Sequence, residues 1–106
     1  MGSIIRANCD CGYETKDLFF GAGMADFETV CNVPSLKNGS SEIEMKNYKK
    51  RHLVPEYIFY TDSLLTETTN SSETINFFEI RIHKEKNLCP KCKNYSLSFE
   101  DAGCFD

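Results

Sequence analysis

Apolar residues recur at every second position in several short runs, the period of a strand with one buried face. In the first run Ile5, Ala7 and Cys9 fall on one side, with Arg6 and Asn8 on the other. This predicts a strand over residues 3–9 that runs into a Cys-x-Cys. Residues 13–20, YETKDLFF, read as a second strand, stopped by GAG at 21–23. A third over 27–33 places Phe27, Thr29, Cys31 and Val33 on one face until Pro34 intervenes. Short turns would join the three into a meander.

From residue 35 the chain turns polar, and residues 41–52 admit two readings. Ser41 and Glu44 have capping-box spacing, and Met45, Tyr48 and His52 would share a helical face. Against that, Ile43 and Met45 alternate with Glu42, Glu44 and Lys46, as in an edge strand. Tyr57 to Tyr60 is β-branched and aromatic, hence a strand. TDSLLTETTNSSET reads as a loop with one helical turn after Asp62. Residues 74–83, TINFFEIRIH, alternate most regularly: Phe78, Ile80 and Ile82 on one side, Glu79, Arg81 and His83 on the other, solvent-facing side. Tyr95, Leu97 and Phe99 repeat the pattern. The expected fold is mainly β, a small α+β variant if 41–52 is helical, with antiparallel strands. It forms one domain over residues 1–106 with a polar insertion at about 35–76.

Composition adds a constraint. At 106 residues, 41% hydrophobic and without Trp, the chain is short of core, and small domains of this kind often rely on a metal or disulfides. The formal charge of -4, from 12 basic and 16 acidic residues, argues against general nucleic-acid binding, which rests on phosphate neutralisation. No run reaches the roughly 18 apolar residues of a membrane span. The start MGSIIRANCDCGY turns polar too early for a secretion signal, and Arg6 stands where myristoylation needs Ser or Thr. A cytoplasmic protein is expected. In that compartment the six cysteines bind metal or stay free thiols rather than pair.

Their spacing favours metal. In CPKC, Cys89 and Cys92 flank a tight turn in which Pro90 fixes φ after the first ligand. Lys93 occupies the position after the second, where the chain turns left-handed, with Asn94 following. In CDCGY, Cys9 and Cys11 stand closer together, and Gly12 supplies the left-handed freedom. Two such knuckles at strand ends would supply the four corners of a tetrahedral site, Cys9, Cys11, Cys89 and Cys92, the arrangement of a zinc ribbon or of rubredoxin. The pairs lie much further apart in sequence than the roughly 15–20 residues of compact zinc motifs. Cys31 is expected to be a small buried hydrophobe. Cys104, near the terminus, is a free thiol or an alternative fourth ligand. His52 and His83 are weak candidates as ligands.

The stretch IIRANCDCGYETKDLFFGAGMADFETVCNVP resembles a group of small, uncharacterised bacterial zinc-ribbon proteins. These open with Cys-x-Cys-Gly-Tyr, continue with Gly-x-Gly-Met and place a Phe before Cys-Asn-x-Pro. The matching positions are Cys9, Cys11, Gly12, Tyr13, Gly21, Gly23, Met24, Phe27, Cys31, Asn32 and Pro34, with Cys89-Pro90-Lys91-Cys92 later. The group commonly carries a further Cys-x-x-Cys where this chain has SLKNGSSE. The resemblance implies zinc and supplies no activity.

Four thiolates close a coordination sphere, whereas catalytic zinc keeps an open position. His52, Asp62 and Ser63 have triad residue types without a nucleophile-elbow motif, and GAGM lacks a phosphate loop's Lys and spacing. The expected protein is therefore non-enzymatic. Its four-cysteine zinc site, one Zn2+ per chain, is structural, and it serves as an interaction or accessory module for a protein partner. One alternative is a nucleic-acid-binding ribbon using Lys49, Lys50, Arg51 and His52 with Lys91 and Lys93. A second is a rubredoxin-like electron carrier holding iron.

Overall fold

The computed structural model describes residues 2–23, 28–67, 73–78 and 80–105. Its first strand, β1 (Gly2–Cys9), is the centre of a three-stranded antiparallel sheet, between β2 (Leu18–Phe20) and β8 (Leu97–Phe105). The alternation works as expected: Ile5, Ala7 and Cys9 are buried while Arg6 and Asn8 are exposed. A second antiparallel sheet has β3 (Asn32–Lys37) between β4 (Ile43–Asn47) and β5 (Tyr57–Phe59). A two-stranded hairpin, β6 (Thr74–Phe77) and β7 (Ile80–His83), completes the mainly β fold.

The expected meander stops at its second strand. β1 and β2 pair, but β3 enters the other sheet and touches the end of β2 through a single bridge, Gly21 with Asn32. The second strand is also shorter than YETKDLFF. The hydroxyl of Thr15 accepts the Ala7 N–H, taking a bond that a ladder carbonyl would make, so regular pairing begins only at Leu18.

Proline does not interrupt the third strand. Pro34 lies within β3, opposite Met45, and its carbonyl accepts from Tyr60 N on the other side. Its nitrogen therefore points away from β4, just beyond the β5 pairing that begins at Ser35, where no ladder donor is required. Of the face expected upstream, Cys31 and Val33 are buried and Thr29 is exposed. Phe27 lies outside the described residues.

Residues 41–52 combine both readings in sequence. Ile43 to Asn47 is an edge strand, and a 3-10 helix (Tyr48–Leu53) follows. The helix is capped by Asn47, whose side chain accepts from Lys49 N, and Ser41 has no capping role. The same Asn47 oxygen accepts from Cys31 N, so one amide both ends the strand and fixes the entry to β3. The helical turn expected after Asp62 is present as a second 3-10 helix (Ser63–Leu65), with the Asp62 carboxylate accepting from Leu64 N.

The regular run 74–83 is a hairpin rather than one strand. Ile75 pairs with Ile82 and Phe77 with Ile80, so the chain reverses between Phe77 and Ile80. Residues directly opposite share a face, so odd-numbered Ile75 and Phe77 join even-numbered Ile80 and Ile82 on one side. The apolar parity switches at the turn, and Phe78 is consequently exposed instead of facing inward. His83 is half-buried, not solvent-facing.

The core joins these pieces through aromatic contacts. Tyr60, following β5, packs edge-on against Phe99 of β8 at 5.2 Å, and Phe20 of β2 lies at 6.4 Å from Phe77 of β6. The stretch 35–76 supplies Leu36, Ile43, Phe59, Tyr60, Leu65 and Ile75 to this core. None of the described helices is long and apolar enough to cross a membrane.

Candidate metal centre

Each cysteine pair sits in a loop closed at its base by a β-bridge. Asn8 bridges Glu14 beneath the first loop, and Asn87 bridges Leu97 beneath the second. Within the first, Cys9 N donates to Tyr13 O at 2.9 Å and Gly12 N to Cys9 O at 3.0 Å. Gly12 adopts φ of 101°, the left-handed conformation that Gly enters at low cost. Within the second, Cys89 N donates to Asn94 O and Lys93 N to Cys89 O, both at 2.9 Å. Lys93 has φ of 63°, so the left-handed turn after the second cysteine falls where the sequence places it.

The β1–β8 ladder brings the loops together. Cys9, last in β1, is the register partner of Leu97, first in β8. One loop leaves β1 and the other enters β8 at the same end of the sheet. Cys9 and Cys92 Sγ are 3.7 Å apart, as are Cys11 and Cys89 Sγ, and all four sulfurs lie within 4.8 Å of one another. A tetrahedron with metal–sulfur bonds of about 2.3 Å has edges of about 3.8 Å. The donor set, the number of donors and the cross-loop spacing all fit one metal ion.

Local hydrogen bonding favours the charged form of two of the sulfurs, Cys9 and Cys92, while burial opposes it at Cys89. Burial pushes the Cys89 thiol up to about 12, against the opposing pull of the Cys92 and Lys91 N–H groups. The Asn94 N–H, helped by neighbouring groups including the Ser96 hydroxyl, holds Cys92 down to about 6. For Cys9, burial raises the value, but the Cys11 N–H and the Ser96 hydroxyl outweigh it and the net shift is downward. These contacts stabilise sulfur charge without occupying a coordination position. Cys9 and Cys89 are buried, Cys92 is half-buried and Cys11 exposed, so the centre has one wet side.

Ser96 is the site residue that sequence reasoning missed. Its Oγ lies 3.0 Å from Cys9 Sγ and 3.8 Å from Cys92 Sγ, linking the two loops. Only the register of β8 places residue 96 beside Cys9, and the local pattern around CPKC carries no sign of it. Tyr60 supports the same loop from below, its hydroxyl donating to Leu88 O at 2.7 Å.

The remaining candidates lie elsewhere. Cys31 is buried, as expected of a small hydrophobe. Cys104 is exposed in β8 opposite Ser3, at the far end of the ladder from Cys9, which removes it as an alternative fourth ligand. Neither histidine joins the sulfur cluster, the metal-capable group found among the described residues. Lys91 and Lys93 are exposed on the second loop, while Arg51 lies over the Tyr48 ring at 4.4 Å from its centroid. Comparison with protein-family models, curated proteins and solved structures finds no match to this chain.

Proposed function

We propose that the chain is a non-enzymatic, zinc-stabilised module that serves as a docking or accessory component for a protein partner. The observation that carries this reading is the closure of two knuckles, far apart in sequence, at the joined ends of β1 and β8. Bound there, a dication would supply charge neutralisation and cross-linking. Zinc is the ion of choice for a tetrahedral all-thiolate site. Four thiolates would complete its sphere and leave no position for an activated water. A reducing compartment such as the cytoplasm suits thiolates that must remain unpaired. The similarity of CDCGY and CPKC to bacterial zinc-ribbon proteins agrees with this assignment.

Elemental analysis of the purified chain tests the metal, with one zinc per chain expected. A red, iron-loaded protein would instead support electron transfer. Affinity purification from the source cell tests the role: a stoichiometric protein partner is expected. Retention of nucleic acid, lost on Lys91→Ala with Lys93→Ala, would replace this reading with a nucleic-acid-binding ribbon.

A further inference from the structure

A cavity of about 540 Å3 lies between the β6–β7 hairpin and the start of the first 3-10 helix. Among the described residues its wall is formed by Phe77, Phe78 and Ile80 of the hairpin, Tyr48 and Lys49 of the helix, and Glu28 and Cys31. Small-molecule sites occupy about 300–1,000 Å3 and are mostly apolar with a few polar groups. This cavity meets both conditions, and its residues take no part in the sulfur cluster.

A second observation concerns Phe78. Two-residue hairpin connections favour Asn, Asp or Gly, because left-handed φ is needed. Here Phe78 takes that conformation, with φ of 54°, and leaves its ring 61% exposed beside Phe77 at 4.8 Å between centroids. Departures from local preference of this kind gather where a ligand is gripped.

We propose that this cavity binds an uncharged aromatic small molecule between the Tyr48 side and the Phe77–Phe78–Ile80 side. Three aromatic residues from two elements offer faces and edges for ring packing. Among the described residues of the lining, Lys49 and Glu28 carry one charge of each sign, and the Lys49 ammonium donates to the Glu28 carbonyl. Burial raises the Cys31 thiol, which keeps that part of the wall neutral as well.

Titration of the metal-loaded chain with the neutral fluorophore N-phenyl-naphthylamine tests the proposal. Saturable enhancement is expected, with amide NMR shifts centred on Cys31, Tyr48 and Ile80. Phe78→Asn, which suits the turn better than Phe, should retain the melting temperature and bind about tenfold more weakly or worse. Absence of saturable binding, shifts mapping elsewhere, or unchanged affinity in Phe78→Asn would each overturn it. Stronger binding of anionic anilinonaphthalene sulfonate than of the neutral probe would overturn the assignment of an uncharged ligand.

Discussion

The Sγ atoms of Cys9 and Cys92 lie 3.7 Å apart, although 83 positions separate them in the chain. A metal shared by these sulfurs would fix the two sides of the β1–β8 ladder at their common end. Loss of the metal should then be a loss of fold. Chelation, or Cys89→Ala, is expected to abolish cooperative thermal unfolding, since structural zinc contributes on the order of 10 kcal/mol to small domains. Cys104→Ser should leave metal content and melting unchanged. A melting curve indifferent to chelator would refute the structural role.

Ser96 tunes the site without being a ligand. Removing its hydroxyl in Ser96→Ala leaves Cys9 Sγ without a 3.0 Å partner. The expected result is roughly tenfold weaker metal binding, the lower end of the effects seen for groups that support ligands. Competition against a chromogenic chelator measures it, and equal affinity would show that the contact is incidental.

Acid should release the metal. Cys92 is held down to about 6 from an ordinary 9.0, so its contribution is present above the ordinary value and lost as pH falls through about 6. Cys89 acts in the opposite sense: burial raises it to about 12, so only a neighbouring cation keeps it a thiolate at neutral pH. Metal should be retained at neutrality and released as the solution is made acidic, as protons compete for the sulfurs. An indicator dye follows the release. Metal affinity independent of pH, or release already at neutrality, would contradict this account.

Tyr60 connects the β5 region to the second knuckle. Tyr60→Phe keeps the ring against Phe99 but leaves the Leu88 carbonyl without its 2.7 Å donor. A loss of about 1–2 kcal/mol is expected from denaturant titration of the metal-loaded chain. A neutral result would mean that solvent reaches the carbonyl.

The same residues show what a sequence discloses. The metal-capable set was legible because coordination chemistry demands four donors, and CDCGY and CPKCK each carry the residues that such turns require. The β1 face was legible because burial on one side leaves a period of two. The β6–β7 turn was hidden, since Phe78 stands where Gly or Asn would have announced it and the parity change from Phe77 to Ile80 resembles continued alternation. Pro34 misled in the opposite direction, because whether proline breaks a strand depends on which way its nitrogen points. Ser96 was invisible for a third reason: its role is set by pairing with a strand almost the whole chain away.

That distance also sets an order of events. Cys11 leaves the ribosome 78 positions before Cys89. At ~5–20 residues per second, the first two sulfurs wait roughly 4–16 s for the second pair. Through that interval the nascent chain has two of the four sulfurs that a tetrahedral site needs. The last knuckle to be synthesised would thus be the one that completes the four-sulfur set, and with it the closed end of the β1–β8 ladder.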